Sequence, residues 1–430
     1  MPNKNNTSKL TIFSWSLYDF ANQPFTTIII TFIYSTYFMD YFCSTAEVGA
    51  VLWGRAITIS SIMVALLSPI MGAIADNGGY RKSLLIFWTW VCIIFSFLLY
   101  FPIPGQVIQA LVIFIIANIG FEMGGVFLNA YLPNITTKDR IGRISGYGWA
   151  FGYVGGLLMM AICFIFFIQP EIPINPFFGS ALDKSTGEQI RIINIFIAIW
   201  FAIFSIPTFL FVKDDKKTRK IDFTIIKTSI NNLIETFRDM KKYKGVLTFL
   251  LARLIYNDAV ITIISFGGIY AKEIFNFTFN EIFLFGIVLN IAAGIGAFSF
   301  GFIDDMIGGK STIQLTNFGF ILACIIAVVA PTVDVDFISG KNLFWISGML
   351  IGVFMGPNQA ASRSLMARIT PESKENEFFG FYAFSGKATA FLGPLLFSSI
   401  VAVTHDLRIG IAVVATFFVI GSYVLSYVED

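Results

Sequence analysis

Apolar residues run along this chain in blocks of roughly twenty, separated by short stretches that hold most of its Lys, Arg, Asp and Glu. A helix rises about 1.5 Å per residue, so some 20 apolar residues match the ~30 Å hydrocarbon layer of a bilayer. Such blocks begin near Ile12, Ala50, Ser83, Val107, Ile144 and Arg191. After one long charged interval they resume near Val246, Glu281, Thr312, Asn342, Phe378 and Leu407. The pattern predicts an all-α membrane protein with twelve transmembrane helices. The first block, Ile12 to Phe42, exceeds one bilayer thickness and predicts a tilt or bend, with Pro24 as the bend point. No small-residue cleavage site follows it, so the first helix is expected to be retained.

The polar intervals set the orientation. With twelve spans both termini share one side, and that side holds Lys4, Lys9, Arg81, Lys82, Lys138, Arg140, Arg143, Lys310, Arg368, Lys374 and the ten basic residues from Lys213 to Lys244. The other side holds Lys184, Arg191, Lys272, Lys341 and Arg408. Twenty against five places both termini in the cytoplasm. The long interval divides the chain into an N-terminal six-helix bundle (1–212), a cytoplasmic linker (213–245) and a C-terminal six-helix bundle (246–430). Within the linker, Ile226, Ile230, Leu233, Ile234, Phe237 and Met240 recur at helical spacing among Lys and Arg. They predict an amphipathic helix on the inner membrane face or, equally, a solvated linker helix.

Composition agrees with the pattern. Charged residues make up 13% and hydrophobic ones 56% of the 430 residues, with 49 Phe. A soluble domain carries about 25% charged residues to cover its surface. A net charge of +2 implies no nucleic-acid partner. Cys43, Cys92, Cys163 and Cys324 are widely spaced and offer neither a metal site nor a disulfide framework. No nucleophile–base pair is legible, so an enzyme is not expected, nor is a cofactor. The lone histidine, His405, falls in the last outer loop. Usage rich in Asn, Lys and Ile points to a bacterial inner membrane.

One motif occurs twice. Gly72-x-x-x-Asp76-x-x-Gly79-x-Arg81 follows the second span and Gly301-x-x-x-Asp305-x-x-Gly308-x-Lys310 follows the eighth, 229 residues later. The glycines allow a tight turn, and the Asp can accept backbone N–H groups or pair with a cation, so each loop can latch helices in one state and release them in another. A plain tight turn is the alternative. These loops resemble the signature loop of the major facilitator superfamily. Further segments resemble its vacuole-effluxer-like branch, named after an autophagy-related amino-acid exporter of fungal vacuoles. They are Trp15–Asn22 (WSLYDFAN), Phe127–Pro133 (FLNAYLP), Ile144–Gly156 (ISGYGWAFGYVGG), Tyr256–Asp258 (YND), Ser362–Leu365 (SRSL) and Phe378–Lys387 (FFGFYAFSGK). The first loop departs from the superfamily pattern at Asn77, where a cation is usual. The resemblance implies two six-helix bundles related by pseudo-twofold symmetry and alternating access. Spans 1, 4, 7 and 10 would line a cavity, and spans 2, 5, 8 and 11 would rock against each other.

A charge within the bilayer costs about 2.5–3.5 kcal/mol or more and needs a reason. Seven are expected to be buried: Asp19, Arg55, Glu122, Arg253, Asp258, Arg363 and Lys387. Polar stripes accompany them: Trp15, Asp19, Asn22 and Thr26; Asn118, Glu122, Gly125 and Asn129; Asp258, Thr262 and Ser265; Arg253 with Asn257; Gln359 with Arg363. Arg253 and Asp258 point about 140° apart and should have different partners. Asp19, Glu122 and Asp258 read as coupling carboxylates or as fixed ion pairs. Arg253 and Arg363 read as substrate contacts or as side chains reaching the interface. Arg55 and Lys387 read as gate contacts or structural pairs. Gly146, Gly148, Gly152, Gly155 and Gly156 of span 5, and Gly386 and Gly393 of span 11, read as rocking surfaces.

These readings converge on a monomeric secondary transporter of a small solute in the lipid bilayer. With no histidine in the core, proton coupling would fall to a carboxylate, Asp19 first. Arg363 or Arg253 suits a solute carboxylate, an acid suits its ammonium, and Trp15 or Tyr256 can add cation–π contact. An amino acid or similar zwitterion fits. A drug, sugar or lipid-like solute, or a sensor built on a transporter fold, are the alternatives.

Overall fold

The structure, a computed structural model, describes residues 8–177, 179–214, 223–238, 240–335 and 338–429. Lys4 and linker residues Lys216, Lys217, Arg219 and Lys220 lie outside them, as do the side chains of Phe237 and Met240.

Each predicted block is helical, and we number the segments 1–12 in chain order. Helix 1 opens at Lys9, where the Ser8 hydroxyl accepts the Leu10 N–H, and is α-helical to Pro24. Proline has no N–H to give back, and beyond it the winding widens to a π-helix over Phe25–Phe32, then passes through Tyr34–Tyr37 and Phe38–Phe42. Pro24 therefore changes the winding of the segment without ending it. Helices 2–6 are Ala46–Gly78, Arg81–Leu98, Val107–Asn129, Ile141–Cys163 and Glu188–Phe211. Helices 7–10 are Lys244–Phe275, Phe279–Ile307, Gly309–Val329 and Gly340–Ile369. Helix 11 has two pieces, Glu375–Lys387 and Leu392–Thr404, and helix 12 is Leu407–Ser426. Between helices 9 and 10, Asp334–Val335 pairs with Ile338–Ser339 in a small antiparallel hairpin that the apolar pattern did not predict.

Among the described residues, ten of these helices are long and apolar enough to cross a membrane. Helix 1 misses because Asp19, Asn22, Gln23 and Pro24 interrupt its apolar run, and helix 10 because Asn358, Gln359, Arg363 and Arg368 interrupt its own. Large apolar side chains point outward on the peripheral helices: Phe87 and Ile94 on helix 3, Ile203 and Leu210 on helix 6, Phe318 and Ile325 on helix 9, Val419 and Ile420 on helix 12. Hydrocarbon accepts such surfaces; water does not. The architecture is the two-bundle major facilitator fold.

Two helix pairs make the most extensive joints between the halves, helix 2 with helix 11 and helix 5 with helix 8, and helix 10 also packs on helix 5. Both joints depend on glycine. A Cβ at Gly72 would overlap the backbone of Asn376, and one at Gly301 would press on the Arg143 Cα. Helices 5 and 8 stay together toward both ends, through Gly146 against Ala297 and Phe164 against Phe283. Helices 2 and 11 touch through the first piece of helix 11, from the glycine–aspartate loop to Ser68, whose hydroxyl donates to the Gly380 carbonyl (3.0 Å). Farther from that loop end they part. Gly54 faces open space, and Arg55, Phe391 and Leu395 are exposed.

The linker holds a helix, Phe223–Arg238. Its inward face is more polar than the expected apolar stripe: Ser229, Leu233 and Thr236 are buried, while Ile230 and Ile234 are exposed. Asn232 donates to the Asn77 side chain (3.0 Å), and Lys374 donates to the Thr236 hydroxyl (2.7 Å). Asn77, the departure from the superfamily pattern, is thus an anchor for the linker helix.

Candidate functional site

The loop end is closed by two carboxylates used in the same way. Asp76, at the end of helix 2, accepts the Asn376 side-chain N–H (2.7 Å) and the Glu377 backbone N–H (2.8 Å) at the start of helix 11. Asp305, at the end of helix 8, accepts the backbone N–H groups of Gly142 (2.8 Å) and Arg143 (3.3 Å) at the start of helix 5, and the Arg143 guanidinium. Each Asp caps a helix of the opposite half. The unsatisfied N–H groups and positive dipole end of that helix favour an anion there. Gly79 (φ 70°) and Gly308 (φ 84°) supply the turns in a backbone region closed to most side chains.

The cations of the two loops differ. Arg81 donates to Asn134 (2.6 Å) and to Glu375 (3.3 Å) across the halves, over the ring of Tyr131. Lys310 donates to the Val428 carbonyl (2.6 Å) within its own half, so it is no part of the closure in this arrangement. Its place is taken by Arg368, which binds Asp304 (2.5 Å) and Asp305 (3.5 Å) and donates to the Lys138 carbonyl of the other half. Asp304 also accepts the Ser364 hydroxyl.

Deeper in, two ion pairs cross between the halves. Arg363 of helix 10 donates to Asp19 of helix 1 (2.8 Å), to Asn129 of helix 4 (3.1 Å), and to the hydroxyl (2.9 Å) and carbonyl (2.7 Å) of Ser145 in helix 5. Its guanidinium lies 4.7 Å from the Trp15 ring centre and 5.8 Å from that of Trp149. About 10 Å along helix 4 from Asn129, by the rise of seven residues, Glu122 accepts the Lys387 ammonium of helix 11 (2.6 Å). The polar stripe of helix 4 thus receives a cation of the opposite half at each of two levels. Between those levels Gly125 faces open space. The pairs differ in exposure: Arg363 and Asp19 retain 4% and 14% of side-chain accessibility, Lys387 and Glu122 27% and 21%. The second pair is reached by solvent and the first nearly sealed. Asn22 lies three residues after Asp19 and Gln359 four before Arg363, and among the described residues neither side chain makes a hydrogen bond.

The remaining sequence candidates lie elsewhere. Arg253 and Asn257 face helix 11 of their own half: Arg253 donates to the Tyr382 carbonyl (2.9 Å) and Ser385 hydroxyl (3.1 Å) and stacks on the Tyr382 ring, and Asn257 donates to the Gly386 carbonyl. Asp258 has a different partner, as its angle predicts: the Thr389 hydroxyl at 3.3 Å. Tyr256 is fully buried, bound to Ser362 at 2.8 Å, and Trp15 alone of the two aromatic candidates meets a cation. Arg55, expected to be buried, is exposed and has no ion pair among the described residues; it sits where helix 2 has parted from helix 11. The glycine surfaces also need correction. Gly146 faces helix 8 as expected, but Gly155 and Gly156 face helix 1 of their own half, while Gly386 and Gly393 make room for Arg253 and for the Asp258 backbone.

Gly148 has a separate use, since a Cβ there would strike the Asp19 carboxylate and the Arg363 guanidinium. Gly148→Leu is expected to expel Arg363 from its place and cut transport at least about tenfold, whereas Gly152→Ala, in ordinary contact with Asp19, should change it less than about twofold. Side-by-side uptake rates of the two variants decide this. Reading span 5 as packing alone missed Ser145 and Trp149, although their four-residue spacing beside Gly148 and Gly152 marks one helix face.

Comparison with known proteins bears on this arrangement. Residues 49–430 match the family model described as vacuole effluxer Atg22 like. The MFS-type transporter YxiO of Bacillus subtilis is 28% identical over 97% of this chain and 94% of its own length. Autophagy-related protein 22 of Kluyveromyces lactis is 21% identical over 88% of this chain and 79% of its own. Among solved structures, the human organic anion transporter MFSD10 superposes with a TM-score of 0.72 at 10% identity, covering 99% of this chain and all of that one.

Proposed function

The chain belongs to the Atg22-like vacuole effluxer family of major facilitator transporters, and we propose on that footing that it moves an amino acid or similar zwitterion by proton-coupled alternating access. The observation that carries this reading is the pair of cross-half ion pairs, Asp19–Arg363 and Glu122–Lys387. Together they bring two cations and two carboxylates, with no net charge, to two levels of helix 4 across the halves. A zwitterion can substitute for both: its carboxylate takes the fork of Arg363, beside Trp15, and its ammonium takes an acid. Either substitution loosens a contact that holds the halves together, which is how binding becomes movement.

Both termini and the closed loop end are cytoplasmic, on the strength of the basic residues gathered there. The arrangement is then the outward-facing one, with Lys387 and Glu122 reached from outside. Residues 1–212 and 246–430 act as the two rocking units, joined by 213–245, and one chain suffices. The cell membrane of a bacterium is the site of action, in keeping with the Bacillus relative.

The test is uptake of a labelled amino-acid mixture into proteoliposomes, with and without an imposed pH gradient. Accumulation of at least one amino acid, raised about tenfold or more by the gradient, is expected. No uptake of any amino acid by folded, inserted protein would remove the amino-acid reading.

A further inference from the structure

Asp258 stands apart from the other buried carboxylates. Asp304, Asp305, Glu375 and Glu377 each have a cation within 4.0 Å, and Asp76 has a backbone N–H. Asp258 is 2% exposed, and its partner among the described residues is the Thr389 hydroxyl, at 3.3 Å. Among the described residues, neighbouring elements offer no free charge at its level. On helix 7 itself Arg253 is committed to Tyr382 and Ser385, and Tyr256 to Ser362. Helix 10 brings Lys341, Arg363 and Arg368, bound to Glu281, Asp19 and Asp304. Helix 8 brings Glu281, Asp304 and Asp305, held in those same ion pairs and by Arg143. Helix 12 brings Arg408, bound to Asp406, and Tyr423, bound to Tyr427. Lys244 and Lys272 stand fourteen residues from Asp258 toward either end of helix 7, about 21 Å away along it, and Lys387 on helix 11 is held by Glu122. An ionised carboxylate with neither a cation nor a set of donors is strongly disfavoured away from water.

The partner of Asp258 sits at a break. Helix 11 stops at Lys387 and resumes at Leu392. Pro394 gives the reason: it has no N–H for the Ala390 carbonyl, and its ring crowds that carbonyl. Thr389 lies in the break, and Lys387 is the last residue before it. The short piece Glu375–Lys387, anchored by Asp76 at its other end, can shift without carrying Leu392–Thr404 along.

We propose that Asp258 is a proton-binding site, loaded in this arrangement, and that Lys387 displaces its proton when it leaves Glu122. The step balances. One proton enters onto the Asp258 carboxylate from one side of the membrane. When the halves rearrange, Lys387 moves from Glu122 toward Asp258, and the proton leaves to the other side as the new ion pair replaces it. Asp19 and Glu122 already have cationic partners. The inference rests on the reading of the protein as a proton-coupled transporter and is independent of which solute it carries.

The experiment needs no solute. Infrared difference spectra of the full-length protein in lipid, recorded as pH is raised, report carboxyl groups that are protonated at neutral pH. Wild type and Asp19→Asn are expected to show a protonated-carboxyl band, Asp258→Asn to lack it, and Asp258→Glu to restore it at a shifted frequency. Asp258→Glu retains a carboxyl and guards against misfolding of the Asn variant. In Lys387→Met the band is expected to persist to a proton concentration about tenfold lower. A wild type with no such band, or a band unchanged in Asp258→Asn, would overturn the proposal. Loss of the wild-type band on adding sodium chloride at constant pH would overturn it in favour of a sodium site. An unshifted titration in Lys387→Met would take Lys387 out of the exchange.

Discussion

Asp19→Asn is expected to lower gradient-driven transport by at least about 100-fold while leaving the protein folded and inserted. The asparagine keeps the shape of the side chain and removes the charge, so Arg363, 4% exposed, is left ionised against neutral acceptors: Asn129, the Ser145 hydroxyl and carbonyl, and the Trp15 ring. Removing one member of a buried ion pair costs about 3–5 kcal/mol, and a factor of ten corresponds to about 1.4 kcal/mol. The loop-closed arrangement therefore loses about 10²-fold or more in population relative to one in which water reaches Arg363. The transport cycle must pass through both, and its rate falls with the rarer one. Arg363→Lys keeps the charge and loses the fork that reaches Asp19, Asn129 and Ser145 together, so a fall of about tenfold is expected. Initial uptake rates of the accumulated amino acid, compared at equal reconstituted protein, give both numbers. Wild-type rates in Asp19→Asn would reduce the pair to packing.

The membrane makes most of the fold legible in the chain. Lipid requires long apolar helices, and every predicted start falls within four residues of an observed one. The repeated loops are legible for a local reason: a left-handed turn needs Gly79 and Gly308, and a helix end needs Asp76 and Asp305, at fixed spacing. Their receptors are not, because Asn376 and Glu377 lie 300 and 301 residues from Asp76 and no periodicity links such distant positions. Helical spacing identifies a polar face but not the neighbour that it meets. Asp19 of helix 1 and Glu122 and Asn129 of helix 4 meet the opposite half, whereas Asn118 of that same stripe turns to Ser60 of its own half, and Arg253 and Asn257 turn to helix 11 of theirs. Arg55 illustrates the same gap. Its place in an apolar helix predicts burial, but helix 2 has left helix 11 by that point and the side chain is exposed. Which ends of two helices touch is a property of the conformational state, which a sequence shared by all states does not display.

That dependence on state makes the loop end itself testable. Asp305→Ala is expected to open it. The substitution removes a trans cap from the first turn of helix 5, worth about 1 kcal/mol, and leaves Arg143 without its carboxylate. Arg143 is about one-third exposed, so screening makes its loss the smaller one, and Arg368 keeps Asp304. The two losses together shift the balance toward opening by about tenfold. Asp76→Ala removes the corresponding cap of helix 11, but Arg81–Glu375 and the linker helix contacts at Asn77 and Lys374 remain across that joint. Its shift should be smaller, and the double variant should exceed either. Spin labels at Lys138→Cys and Met306→Cys, exposed positions on opposite halves of the closed end, read the separation directly in protein whose partly exposed Cys43 is replaced by Ser. A longer-distance population that grows in Asp305→Ala and grows further in the double variant is expected. An unchanged distance distribution in all three would mean that the glycine–aspartate loops are turns and not latches, and that closure rests on the other cross-half contacts, those of Arg81, Arg368, Arg363 and Lys387.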